Sequence, residues 1–142
     1  MLAPPPRDLP AWVERYIGAR YSDGGEAERP GTFNCWTLYA HIQRCHLGRE
    51  IIDYTGPVWT GRRGLSAIAA EAAAFAQQFT PITESEARVG DAILLLNSGA
   101  PIHIGCVVAP GWMLHVNKTI DGVVESWRCP LYVNRIEGFY RP

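Results

Sequence analysis

The sequence predicts an α+β fold in which N-terminal helices pack on a central antiparallel sheet of about five strands, and three observations lead there. Apolar residues in the first half recur at helical spacing. After Pro81 the pattern shortens to β-branched and aromatic runs separated by turn residues. The chain length of 142 residues suits a single domain spanning residues 1–142.

In chain order, Pro4, Pro5, Pro6 and Asp8 precede "LPAWVERYIGARY", where Trp12, Tyr16 and Ile17 predict a short helix ending near Gly18. Residues 22–32 are rich in Gly, Glu and Pro and lack apolar periodicity. They read as a surface loop lasting until Thr32 or Asn34 offers an N-cap oxygen. From Cys35 onward, Leu38, Tyr39, Ile42 and Cys45 keep helical spacing, and Gly48 fits the left-handed residue that ends a helix. Residues 64–79, "GLSAIAAEAAAFAQQF", predict a further helix from their alanine content, stopped by Pro81. Strands are expected at 91–96, 102–108, 112–116, 123–127 and 136–140.

Charge and composition exclude several roles. A net charge of -1, with no basic run longer than Arg62-Arg63, gives no footprint for nucleic acid. No stretch reaches the roughly 18 apolar residues of a membrane span, so no membrane partner is expected. The opening "MLAPPPRDLP" lacks the pattern of a secretory signal, and cytoplasmic synthesis without a signal peptide is the expectation. Cys35, Cys45, Cys106 and Cys129 contain no C-x-x-C pair, which argues against a zinc site and, in a reducing compartment, favours free thiols. No metal or cofactor is expected.

Cys35 stands where a polar loop meets a helix. A free cysteine is only about 3% thiolate at pH 7, so a nucleophilic role needs help from its surroundings. The unpaired N–H groups of a helix start supply part of it. A base is still required. His41 lies about 9 Å along the helix and about 240° around from Cys35, and His46 about 16 Å along it, so neither reaches the sulfur. His103 and His115 remain, in adjacent expected strands flanking "APGW".

Register decides whether these two meet. A simple two-residue turn at Pro110-Gly111 pairs Ala109 with Trp112 and sends the histidines to opposite faces. A bulge or three-residue connection shifts the pairing by one, sets His115 opposite Gly105 and His103 nearly opposite Asn117, and puts both imidazoles on one side. Gly105 would then leave room for the imidazole across from it. Asn117 stands as an alternative orienting group. Cys45, Cys106, Cys129 and Trp112 read as packing groups, and His41 and His46 as partly exposed polar positions.

"FNCWTLYAHIQRCHLG", "RVGDAILLL", "HIGCVV" and "MLHV" together resemble, in order and spacing, the NlpC-type papain-like cell-wall cysteine peptidases. The resemblance runs from about Trp12 to the C-terminus. It implies Cys35 as nucleophile, His103 as general base and acid, and His115 as the group that fixes the imidazole. It further implies a papain-like fold and hydrolysis of peptide bonds in peptidoglycan stem peptides, typically after γ-D-glutamate. Tyr21, in "RYSDGG", matches a tyrosine that lines the family's substrate cleft. The family usually has Asp before the Cys and Ser-Gly after it; Asn34, Trp36 and Thr37 stand there in this chain. Asn34 and Trp36 are accordingly expected at a cleft of altered shape and amine recognition. The closing "RIEGFYRP" and the Cys-Trp pair look most like members from bacteriophage tails or gene transfer particles. They imply phage-like tail or baseplate proteins as partners and incorporation into such a particle. The altered Asn34-Cys35-Trp36 context also fits a catalytically weak or inactive structural component of a tail tip, and the same Cys/His chemistry acting on another bond would make the protein a peptidoglycan amidase.

Overall fold

A computed structural model of the protein describes residues 4–51, 78–97 and 100–142. Trp59 (read from the sequence as core or cleft wall), Arg62, Arg63 and the helix expected at 64–79, apart from its last two positions, lie outside the described residues.

The helix that carries the candidate nucleophile, α1, spans Cys35–His46. Of the two N-cap candidates Asn34 holds the position: its Oδ1 accepts from the Thr37 amide at 2.8 Å, and Thr37 Oγ1 accepts from the Asn34 amide at 2.9 Å. This reciprocal pair satisfies two of the donors that a helix start leaves open. At the other end Gly48 adopts φ 67°, a conformation that only glycine takes without strain. The first expected helix is a 3₁₀ helix, Ala11–Tyr16, because Pro10 before it and Gly18 after it leave room for i→i+3 bonds such as Val13 N–H to Pro10 O at 3.0 Å.

Six described strands form one antiparallel sheet in the order β1-β6-β2-β3-β4-β5. They are β1 (Thr80–Ile82), β2 (Ala92–Asn97), β3 (Ala100–Ala109), β4 (Trp112–Asn117), β5 (Ile120–Ser126) and β6 (Ile136–Arg141). Strand β1 is the one the sequence reading lacks. Pro81 ends helical character, but on an edge strand the missing N–H costs no ladder bond, so the chain continues as β1 against β6.

Alternation along the strands sorts their side chains into two cores. On one face Ile104, Cys106, Val108, Leu114 and Val116 pack with Trp36, Leu38, Tyr39 and Ile42 of α1. On the other, Ile93, Leu95, Val107 and Met113 pack with Trp127, Tyr132 and Phe139. Two contacts fix α1 against the sheet: Tyr39 Oη and Gln43 Nε2 donate to the Gly90 carbonyl at 2.7 and 2.8 Å. The next residue, Asp91, is 2% exposed and accepts from the Arg88 amide and from Arg141 Nε and Nη2 at 2.8, 3.1 and 2.9 Å. The Gly-Asp turn thus locks helix to strand.

The N-terminal segment closes one edge of the sheet. Gly18 N–H donates to Gly122 O at 2.7 Å and Gly122 N–H to Ala19 O at 2.8 Å. Gly122 is required there, since a Cβ would overlap the Tyr16 carbonyl oxygen.

Candidate active site

Cys35 is the first residue of α1 and is 8% exposed. The amides of Ile104, Trp36 and Cys35 itself are directed at its sulfur and favour the thiolate. Burial acts the other way and dominates, pushing the thiol up to about 11. The sequence pointed to a cysteine activated by the helix start; the fold instead holds a resting thiol. Ile104 follows His103, so the sulfur lies against the part of β3 that carries the candidate base.

The β3–β4 connection combines both register alternatives. Ala109 pairs with Trp112 across Pro110-Gly111, and a bulge at Val108 then shifts the ladder to Val107↔Met113 and Cys106↔Leu114. The shift brings His103 and His115 to the same face, where His103 Nε2 and His115 Nδ1 are 2.8 Å apart and the rings meet edge to face. The atoms nearest the space over Gly105 are Met113 Sδ and Ile93 Cγ2. Asn117 does not orient His103. Its Oδ1 accepts from Thr119 N, Thr119 Oγ1 and Ile120 N at 2.8, 2.9 and 3.0 Å and closes the β4–β5 turn.

By alternation the two imidazoles share the face of Val107 and Met113, opposite to α1, and Cys35 approaches β3 from the helix side. The thiol and His103 are not hydrogen-bonded to each other, and His103 Nδ1 has no hydrogen-bond partner among the described residues. With Nε2 engaged by His115, Nδ1 is the nitrogen left to serve the sulfur. Burial, with His115 and Arg135 adding to it, pushes His103 down to about 3, so its ring is neutral at pH 7.

The chain of contacts continues past the second histidine. His115, 1% exposed, has its Nε2 at 2.6 Å from Glu125 Oε2, and Tyr132 Oη donates to the same oxygen at 2.6 Å. These two bonds hold the Glu125 carboxyl below the usual carboxylate range against its partial burial. Sequence reasoning missed both Glu125 and Tyr132. Glu125 was within reach of it: with His115 opposite Val123 and Met113 opposite Glu125, the carboxylate falls on the imidazole face, diagonal to His115. Tyr132 lies beyond the strand, in a turn with no periodic signal.

A model of the NlpC/P60 family matches residues 18–137, a span that holds every residue of this constellation. The chain belongs to the NlpC/P60 family. Solved structures agree in fold: the NlpC/p60 domain of the peptidoglycan hydrolase SagA is 22% identical with a TM-score of 0.59, over 93% of each chain. An NlpC/P60 family protein from Bacillus cereus is 19% identical with a TM-score of 0.64, over 91% of this chain and 37% of that one. A lipoprotein-like NLP/P60 family protein from Staphylococcus aureus subsp. aureus Mu50 is 19% identical with a TM-score of 0.61, over 91% and 38%. No curated protein matches the sequence.

In this NlpC/P60 chain the expected cleft residues separate. Tyr21 is half-buried, bridges to Phe33 beside the helix start and donates to Asp23 Oδ1 at 2.8 Å. Its hydroxyl is raised by burial first and by its bond to Asp23 next. Asn34 is placed otherwise: it is 1% exposed, with Oδ1 given to the cap and Nδ2 donating to Asp23 O at 2.9 Å. Trp36 is also 1% exposed and packs edge-on against Tyr39 and Phe79 in the core. Both side chains are buried. Cys45, expected as a packing group, is exposed at the end of α1, whereas Cys106 and Cys129 are buried. His41 and His46 are half-buried among Tyr16, Phe33 and Trp12, and Tyr16 Oη meets His46 Nε2 at 2.6 Å.

Proposed function

We propose that the protein is a cysteine hydrolase of bacterial cell-wall peptide, with Cys35 as nucleophile, His103 as general base and acid, and His115 orienting His103. The observation that carries this reading is the His103–His115 pair at 2.8 Å, set by the Val108 bulge, on the strand whose Ile104 amide meets the Cys35 sulfur. Family membership and the likeness to a peptidoglycan hydrolase domain support the substrate class.

With thiol and imidazole both neutral at rest, deprotonation accompanies attack. The substrate carbonyl carbon bonds to Sγ as the S–H proton passes to His103 Nδ1; the imidazolium then protonates the leaving amine. The Cys35 and Trp36 amides at the helix start stabilise the oxyanion. Water, activated by the same imidazole, clears the thioester. The thiol–imidazole hydrogen bond is proposed to form only when substrate binds, as catalytic bonds in unliganded sites often do. Tyr21 lines the cleft beside the sulfur. The bond proposed is the one after γ-D-glutamate in the stem peptide, and the proposed setting is a phage-like tail, on the likeness of "RIEGFYRP" and the Cys-Trp pair to members from such particles. Cytoplasmic synthesis followed by particle incorporation accords with that setting.

Digestion of purified peptidoglycan followed by mass spectrometry of the muropeptides tests the reading. The expected result is cleavage after γ-D-glutamate that Cys35→Ala abolishes. Cleavage of the lactyl amide would make the protein an amidase. No cleavage by the intact chain would favour a structural tail component.

A further inference from the structure

We propose that Glu125, held by Tyr132, is a positioning residue that sets the tautomers of both imidazoles, so that His103 keeps Nδ1 unprotonated and available as the base. The inference deepens the thiol-hydrolase reading and rests on it.

Proton bookkeeping along the bonded chain leads there. An ionised carboxylate only accepts, and Glu125 Oε2 already takes the Tyr132 hydroxyl proton at 2.6 Å. His115 Nε2, at 2.6 Å from that oxygen, is therefore the donor and carries the hydrogen. In the neutral form of His115 the one N–H is the one given to Glu125, which makes Nδ1 an acceptor. His103 Nε2, 2.8 Å away, must then donate to it. That leaves His103 Nδ1 bare. Without the carboxylate either tautomer satisfies the His103–His115 bond, and one of the two leaves N–H, not a lone pair, at His103 Nδ1.

The arrangement also serves the charged stage of the reaction. When the S–H bond breaks and Nδ1–H forms, His103 becomes an imidazolium donating from both nitrogens, and its Nε2–H bond to His115 needs no rearrangement. The Glu125 charge, one imidazole away, offsets the new positive charge; the proton leaves Nδ1 for the departing amine. Tyr132 is built to hold the carboxylate: it is 3% exposed, and its ring stands edge-on to His115 at 5.4 Å. The cation facing this group is Arg135, which lies 5.9 Å over the Tyr132 ring and is tied by Nε to Leu96 O at 3.0 Å.

Long-range proton–nitrogen NMR of the imidazole rings in the full chain reads the tautomers directly, with or without activity. Both His103 and His115 are expected in the Nε2–H form, and Glu125→Leu is expected to mix the forms while Glu125→Gln, which retains an acceptor oxygen, preserves them. On muropeptide substrate Glu125→Leu should lower kcat roughly 10- to 100-fold with little change in KM, as loss of an orienting partner behind a functional histidine does, and Glu125→Gln should restore much of it. A wild-type spectrum with His103 protonated at Nδ1, or tautomers and kcat unmoved in Glu125→Leu, would overturn the proposal. Should Glu125→Leu not fold, Tyr132→Phe and the wild-type spectrum decide. Absence of cleavage by the wild type would defeat the hydrolase reading alone, since the ring spectrum is read independently.

Discussion

Cys35 sits under backbone amides that favour a thiolate, yet desolvation raises the thiol to about 11 and lowers His103 to about 3. At pH 7 the unliganded pair is S–H and neutral imidazole. Alkylation of Cys35 by iodoacetamide, followed by peptide mass mapping because Cys45 is exposed, should accelerate continuously from pH 5 through pH 9. A plateau already reached near pH 5 would instead indicate a preformed thiolate–imidazolium pair. The second histidine and its rejected alternative separate just as clearly: His115→Ala should depress kcat, whereas Asn117→Ala should cost about 1 kcal/mol of stability by opening the β4–β5 turn and leave kcat near wild type. Individual residues were partly legible in the sequence. The Cys35 position, the narrowing of the N-cap to Thr32 or Asn34, and the two histidines follow from residue type and spacing. The fates of Asn34, Trp36 and Cys45 do not, because each depends on which side of α1 the sheet covers, and helical spacing alone leaves that open.

The β3–β4 hairpin shows what an element adds to its residues. Spacing permitted two registers, and the bulge at Val108 selects the one that joins the imidazoles. A bulge costs one extra residue and carries no obligatory sequence mark, so the sequence could state the alternatives without choosing. The edge strand β1 was hidden for a related reason: a proline that stops a helix is also tolerated on a sheet edge. At the opposite edge, Gly122 lets the Tyr16–Ala19 backbone lie against β5. Gly122→Ala should cost about 1–3 kcal/mol by overpacking. Calorimetry and limited proteolysis check this: a lower Tm, with new cleavage within residues 4–20, is expected. An unchanged melt and intact N-terminal segment would show that the close approach is unimportant.

Across the whole molecule the buried polar chain makes stability depend on pH. The unfolded chain protonates His103 near 6.5, whereas the native state resists until about 3, so this contribution is complete above 6.5 and declines as pH falls from there. Glu125, whose native carboxyl is lowered from 4.5, contributes above that value and is lost as pH falls through its native titration, in the same direction. Urea unfolding midpoints should therefore drop between pH 7.5 and pH 5, and His103→Gln should reduce that drop; equal drops in both proteins would contradict it. The α+β order was visible at this scale because hydrophobic period changes once, near Pro81. The pairing of the two terminal portions of the sheet, β1 with β6 and β6 with β2, was not, since pairings distant in sequence leave no local pattern. The most direct test of the central claim is intact-protein mass spectrometry of the chain quenched during turnover of a stem peptide. The account predicts an acyl adduct mapping to Cys35, absent from Cys35→Ala together with all cleavage. Turnover that persists in Cys35→Ala with no adduct on the protein would contradict it.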